Sequence, residues 1–131
     1  MSEQKKEELV DILLATYNTN IHFLKIQIDQ TYNNIHLIIS DDASTKKEII
    51  KVLQEYSRKD KRVEIHIQKE NLGYLKNFEF LLTKSKANYV MFSDHDDIWY
   101  ADKVKRSMET LKEKDVDLVY TDAEQIDEKG I

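Results

Sequence analysis

Tyr89-Val90-Met91-Phe92-Ser93-Asp94-His95-Asp96-Asp97-Ile98-Trp99 joins a short apolar run to three carboxylates within four positions. The run has the length and composition of a buried strand, and it reaches the acids with no turn residue between. Carboxylates this close repel one another, and desolvating them is costly unless something positive neutralises them. No Lys or Arg lies inside the cluster; the nearest in sequence are Lys86 and Lys103. A divalent cation is the economical neutraliser, and oxygen-only ligands point to Mg²⁺ or Mn²⁺ over zinc. The competing reading is that these acids cap the next helix and cover a solvated loop, where Asp is common. The rest of the chain decides between the two.

Working outward, the same unit recurs. Val10 to Ala15 reads as a strand covered on both faces, stopping at Thr16-Tyr17-Asn18-Thr19. Ile21, Leu24 and Ile28 then share one side of a helix. Ile35 to Ser40 is a second strand, ending in Asp41-Asp42-Ala43-Ser44-Thr45. Thr45 and Glu48 have capping-box spacing, and Ile49, Leu53 and Tyr56 line one face of the helix they would open. Val63 to Ile67 alternates with period two, as an edge strand with one wet face does. Asn71-Leu72-Gly73 leads into a helix with Leu75, Phe78 and Leu82 expected inward. After the opening stretch, Asp102 is expected to cap a helix carrying Val104, Met108 and Leu111, and Asp117 to Tyr120 is a last strand candidate. Strand alternating with helix in this way predicts a parallel sheet with helices on both faces.

The bulk composition bounds the function. At 131 residues the chain is read as a single domain spanning 1–131, large enough for a real core. A net charge of −5 argues against nucleic-acid binding, which needs a basic face. The absence of cysteine excludes disulfides, Cys-ligated zinc and a thiol nucleophile. No apolar run is long enough for a transmembrane segment and the charged N-terminus is unlike a secretory leader, so the cytoplasm is the expected compartment. With no proline and only two glycines, Gly73 and Gly130, turn chemistry falls to Asn and Asp.

Every polar cluster falls just past the C-terminal end of a strand: Thr16, Tyr17 and Asn18 after the first, Asp41 and Asp42 after the second, Asn71 and Gly73 after the third, and Asp94, Asp96 and Asp97 after the fourth. In an open parallel sheet those ends share one edge, where ligands bind. The loops expected at the opposite edge, Arg58-Lys59-Asp60-Lys61 and Lys84-Ser85-Lys86, are Lys-rich instead. There is no GxGxxG and no GxxxxGK[ST], so neither a dinucleotide fingerprint nor a P-loop is present. A receiver-type, Mg²⁺-dependent phosphoryl-transfer site stays open through Asp41 and Asp42. A cation at Asp96 could instead bridge a nucleoside diphosphate, with Asp42 accepting a hydrogen bond from a base N–H.

Taken together, Ile12-Leu13-Leu14-Ala15-Thr16-Tyr17-Asn18, Ile39-Ser40-Asp41-Asp42-Ala43-Ser44, Asn71-Leu72-Gly73 with Asn77, and Phe92-Ser93-Asp94-His95-Asp96-Asp97-Ile98-Trp99 resemble the successive motifs of family 2 glycosyltransferases. The resemblance runs over about residues 9–130. It implies a Rossmann-like GT-A fold, a mainly parallel sheet of order 3-2-1-4 plus a further strand. The implied activity is inverting, metal-dependent transfer from a nucleotide-sugar donor, UDP-linked by expectation, in bacterial polysaccharide synthesis. By position, Thr16, Tyr17 and Asn18 resemble the loop against the nucleoside, and Asp42 the acid that meets the uracil ring. Asn77 stands where a basic or amide side chain approaches base or phosphate. Asp41, Asn71 and Gly73 complete the nucleotide-binding set. Asp94 and Asp96 match the DxD element that holds Mn²⁺ or Mg²⁺, Asp96 nearer the metal and Asp94 nearer the ribose, with Asp97 and Trp99 flanking. His95 is the free position of that element and is read as solvent-facing, while His22, His36 and His66 are read as structural. Ala15 and Ala43 depart from the proline and glycine usual at their positions.

The resemblance also implies that the acceptor site and the catalytic base lie beyond Ile131, so that the chain corresponds to a truncated donor half. The parent enzyme would use a glycan or lipid-linked acceptor, at the inner face of the membrane. The alternative is a catalytically inactive remnant that binds nucleotide or a partner. Uncovered apolar surface would favour a homodimer.

Overall fold

In a computed structural model of the chain, residues 7–19, 28–94 and 98–119 are described. They form seven elements: β1 (Val10–Thr16), β2 (Ile35–Asp41), α1 (Lys47–Lys59), β3 (Val63–Ile67), α2 (Tyr74–Lys84), β4 (Tyr89–Asp94) and α3 (Lys103–Glu113). The strands make one sheet of order β3-β2-β1-β4 in which every pairing is parallel. This is the expected 3-2-1-4 order. It differs from the 2-1-3-4-5 order of receiver-type folds, so the phosphoryl-transfer alternative loses its scaffold.

β1 and β2 are the central strands and are buried almost throughout, as apolar strands sandwiched between two helical layers must be. Val10, Ile12, Leu14, Ile35, Leu37 and Ile39 face one layer, where Ile49 and Leu53 of α1, Val104 and Met108 of α3, and Trp99 complete the larger core. Leu13, Ala15 and Ile38 face the other layer and meet Leu81 and Phe78 of α2. Period-two alternation thus delivers each strand's side chains to two separate apolar layers. β3, the wet-faced strand, lies at the edge as anticipated.

The structure corrects four details. Leu75 and Leu82 of α2 face outward, Leu75 with 73% of its surface exposed, and Asn77 and Leu81 are the inward pair. Opposite the polar side formed by Lys76, Glu79 and Thr83, the apolar arc of α2 is wide, with Leu75 and Leu82 toward one edge and Leu81 toward the other, and the buried side is centred on the Leu81 and Asn77 edge. Thr45 does not cap α1, whose N-cap is Lys46 without a side-chain cap bond. Asp102 holds the N-cap position of α3 but makes no side-chain cap bond either. Gln30 does that work from a distance, its Oε1 accepting the Val104 N–H at 3.1 Å. Finally, Asp117–Val119 form no strand, and Leu118 is largely exposed; Tyr120 lies outside the described residues. Of the first predicted helix only Ile28 is described, and it is buried.

At the N-terminal edge of the sheet, Asp11 is a buried anchor that the apolar reading of β1 overlooked. Its Oδ2 accepts from Ser85 Oγ at 2.7 Å, Lys86 N–H at 2.8 Å and Ala87 N–H at 2.9 Å. Its Oδ1 lies 3.4 Å from His36 Nδ1, and Glu64 stands between His36 and His66 on the same face. Of the histidines read as structural, His36 and His66 are therefore part of a cross-strand polar ladder, and His22 lies outside the described residues.

Candidate functional site

β1 and β2 extend one residue past their predicted ends and β4 two past its apolar run, and those extensions build the site. Register pairs Thr16 with Asp41 and Ala15 with both Ser40 and Asp94. Thr16, Asp41 and Asp94 are thus the final residues of three adjacent strands and stand side by side at one rim.

Asp41 is fully buried and acts as the hub of this rim. Its Oδ1 accepts from Thr16 Oγ1 at 2.8 Å and Ser44 Oγ at 2.6 Å, and its Oδ2 accepts from Ser44 N–H at 2.8 Å. Three donors satisfy the hydrogen-bonding demand of this buried carboxyl. Ser44 passes the connection on, its Oγ accepting the Asn18 N–H at 2.8 Å. Asn18 then accepts at Oδ1 from the Thr45 and Lys46 N–H groups, at 3.1 and 3.3 Å. The segment that enters α1, up to its N-cap residue Lys46, is therefore held across the chain by a residue of the β1 loop. Asn18 and Ala43 both have positive φ, 47° and 60°, a conformation easy for Asn and strained for Ala.

Asp42 is also buried, with 6% exposed, and ties the rim to α2. Its N–H donates to Thr16 O at 2.8 Å. Its Oδ1 accepts from Leu72 N–H at 2.6 Å and its Oδ2 from Gly73 N–H at 3.0 Å. Gly73 has φ 85°, which explains the glycine there. The N-terminal end of α2 thus points its partial positive charge at the Asp42 carboxylate. Among the described residues each carboxylate oxygen has one protein donor, which leaves a further acceptor position on each.

The remaining candidates fall in different places. Tyr17 is exposed at the rim, and Asn71 is exposed with its Nδ2 3.4 Å from Asp42 O. Asn77 is 2% exposed and its amide is engaged by Ser40, so it stands beneath the rim rather than on it. Asp94 is half-buried at the end of β4. Trp99 packs in the larger core with the Lys103 ammonium 4.7 Å over its ring. His95, Asp96 and Asp97 lie outside the described residues. Among the described residues no three His, Asp or Glu side chains converge as metal ligands. The hard oxygen donor at Asp94 suits Mg²⁺ or Mn²⁺, and the second acid of the pair is Asp96. Ser40, Ser44 and Gln68 were not singled out from the sequence. Only Ser44 left a signal, three residues after Asp41, the spacing at which an Asp side chain takes a following N–H.

Comparison with known proteins agrees with this architecture. Among curated relatives, a putative teichuronic acid biosynthesis glycosyltransferase (TuaG) of Bacillus subtilis is 28% identical over 116 residues, 86% of this chain and 46% of that protein. An uncharacterized glycosyltransferase of Methanocaldococcus jannaschii is 27% identical over 135 residues, 99% of this chain and 47% of that protein. The chain thus spans less than half the length of these relatives. Among solved structures, S. aureus TarS 1–349 in complex with UDP-GlcNAc superposes with a TM-score of 0.71 at 20% identity, over 79% of this chain and 31% of that one. The mannosyltransferase PcManGT from Pyrobaculum calidifontis, in complex with GDP-Man and Mn²⁺, gives 0.70 at 18% identity, over 81% and 33%. These likenesses carry the fold, which is that of the GT-A glycosyltransferases. The family model described as Glycosyl transferase family 2 matches residues 11–130, and the chain belongs to that family.

Proposed function

We propose that this chain is the donor-binding portion of an inverting, metal-dependent glycosyltransferase that takes its sugar from a nucleoside diphosphate, UDP by preference, for a bacterial surface polysaccharide. The observation that carries the reading is the rim itself, where Thr16, Asp41 and Asp94 end three adjacent strands and Asp42 is pinned beside them by the first turn of α2. Thr16, Tyr17 and Asn18 form the nucleoside-side loop in this reading. Asp42 offers its remaining lone pairs to a base N–H, and Asn71 and Gly73 border the same rim. Asp94 and Asp96 hold Mn²⁺ or Mg²⁺, which when bound offsets the charge that builds on the leaving diphosphate. The relatives named above support this by family, and the two neighbours hold UDP-GlcNAc and GDP-Man in their own structures.

In the proposed reaction an acceptor hydroxyl attacks the anomeric carbon from the face opposite the diphosphate. The bond from that carbon to the diphosphate oxygen breaks, and the nucleoside diphosphate leaves with the electron pair. The hydroxyl proton goes to a carboxylate base, which the family resemblance assigns beyond Ile131. The acceptor is proposed to be a glycan or a lipid-linked glycan. Among the described residues no helix is long and apolar enough to cross a membrane.

Calorimetric titration of UDP with and without Mn²⁺, on the wild type and on Asp96→Ala, tests the reading. The wild type should bind more tightly with the metal, and the variant should lose that dependence while keeping its fold. Metal-dependent affinity that survives in Asp96→Ala refutes the assigned role.

A further inference from the structure

Beneath the rim, a small polar cluster sits in the otherwise apolar layer between the sheet and α2. Ser40 Oγ donates to Asn77 Oδ1 at 2.5 Å, and Asn77 Nδ2 donates back to Ser40 O at 3.0 Å. Gln68 Nε2 donates to Ser40 Oγ at 3.1 Å. The neighbours in this layer are Leu13, Ala15, Ile38, Leu81 and Phe78. A buried amide among aliphatic side chains is costly unless its donor and acceptor are both used, and here they are.

The cluster closes a ring onto the site. The Asn77 N–H donates to Gly73 O at 3.0 Å. The Gly73 N–H in turn donates to Asp42 Oδ2, and Asp42 lies two residues after Ser40 on the same segment. Asn77 therefore fixes both where α2 sits on β2 and where its first turn delivers the two N–H groups that aim the Asp42 carboxylate. Without Asn77, the more evenly apolar surface of α2 would have little to hold one rotation over another, since Leu75 and Leu82 compete with Leu81 for the inward face.

We infer that Asn77 is a specificity-positioning residue: it touches no nucleotide, but by locking α2 to Ser40 it orients Asp42 for reading the base edge. The inference rests on the proposed role of Asp42 at the base. An ionised carboxylate only accepts hydrogen bonds. It favours a base that presents an N–H at the contact and disfavours one that presents a lone pair there. Uracil and guanine have a ring N–H where cytosine and adenine have a bare ring nitrogen, so UDP against CDP and GDP against ADP are matched probes.

The experiment is calorimetric titration of those four nucleotides in the presence of Mn²⁺, on the wild type, Asn77→Leu, Ser40→Ala and Asp42→Asn, with thermal unfolding of each. The wild type should prefer the N–H member of the pair that binds by about tenfold, as one charge-assisted hydrogen bond gives. Asn77→Leu should reduce that preference to about threefold or less, and Ser40→Ala, which keeps the bond from Asn77 to Ser40 O, should fall between. Asp42→Asn should lose the preference altogether. If Asn77→Leu and Ser40→Ala unfold at lower temperature yet keep the wild-type ratio, Asn77 is a core residue only and the inference is overturned. Should Asn77→Leu fail to fold, Ser40→Ala alone decides. A wild type that binds no nucleotide, or binds without preferring either N–H member, or an Asp42→Asn variant that keeps the wild-type ratio, overturns the reading of Asp42 as well.

Discussion

Replacing Asp11 should separate the stability of this domain from its site. The carboxylate is 1% exposed and accepts three donors, Ser85 Oγ, Lys86 N–H and Ala87 N–H, from the segment that joins α2 to β4. Asp11→Ala leaves all three without their partner. Each would cost about 1–3 kcal/mol if kept from water, but the Ser85–Ala87 segment is half-exposed and water can reach part of it, so the low end applies and the total is about 3 kcal/mol. That is a large share of the roughly 5–15 kcal/mol that holds a domain folded. With an m-value of about 2 kcal/mol/M, the urea midpoint should drop by about 1.5 M. Asp11→Asn keeps the shape and one acceptor and should cost about half as much.

The effect should also depend on pH. Burial pushes the Asp11 carboxyl up, but the bonds from Ala87, Ser85 and Lys86 together with the nearby His36 outweigh it and hold it below its ordinary value of 3.8. A group with a depressed folded pKa binds its proton more tightly in the unfolded chain. Its contribution is therefore complete above the unfolded value and disappears as pH falls through the folded one. The stability gap between wild type and Asp11→Asn should be fully present at about pH 5 and shrink below about pH 4. Asp11 stands five residues before Thr16 on β1, about 16 Å from the rim, so nucleotide affinity should not change. An Asp11→Ala midpoint within 0.2 M of wild type, a gap that ignores pH (both in the range of about 0.5 kcal/mol or less), or lost nucleotide affinity in a folded variant would refute this reasoning.

Two further outcomes follow from the same geometry. Ala43→Gly relieves a side chain held at φ 60° and should stabilise the fold by about 0.5–1 kcal/mol, after the added flexibility of the unfolded chain is subtracted; chemical denaturation checks it, and a loss of stability would contradict it. Phe92, 57% exposed with its ring 5.7 Å from that of Phe78 and Val90 on the same face of β4, belongs to an apolar strip that we propose mediates pairing of two copies; sedimentation should show a wild-type dimer that Phe92→Glu converts to monomer, and a monomeric wild type would contradict it.

The central strands and the rim were legible in the sequence because β1 and β2 are mostly apolar on both faces, and the polar residues that close each run, Thr16 in β1 and Ser40-Asp41 in β2, mark the rim. The resemblance supplied the sheet order, which no local pattern encodes. What escaped was set by contacts far apart in the chain. The orientation of α2 depends on Asn77 meeting Ser40, 37 residues earlier, while its own pattern favoured Leu75 and Leu82. The entry to α1 is held by Asn18, which accepts the Thr45 and Lys46 N–H groups, rather than by a Thr45 side-chain cap, because the β1 loop lies against that segment. Asp11 hid inside an apolar strand, where nothing local reveals that three donors arrive from residues 85–87. In the site, Asp41 and Asp42 were picked together, yet the structure divides them: Asp41 is spent on holding the loop, and Asp42 keeps acceptor capacity toward the rim.

The most direct test of a nucleotide site on this rim is an amide NMR map of the ¹⁵N-labelled chain titrated with UDP and then with a trace of Mn²⁺. Shifts should appear at Thr16 to Asn18, Asp42 to Ser44, Leu72 and Gly73, and the paramagnetic ion should broaden Asp94 and Asp96 first while sparing Asp60 to Arg62 and Ser85 to Ala87. Shifts and broadening centred on the Asp11 edge of the sheet, or none at all, would contradict the assignment of the donor site.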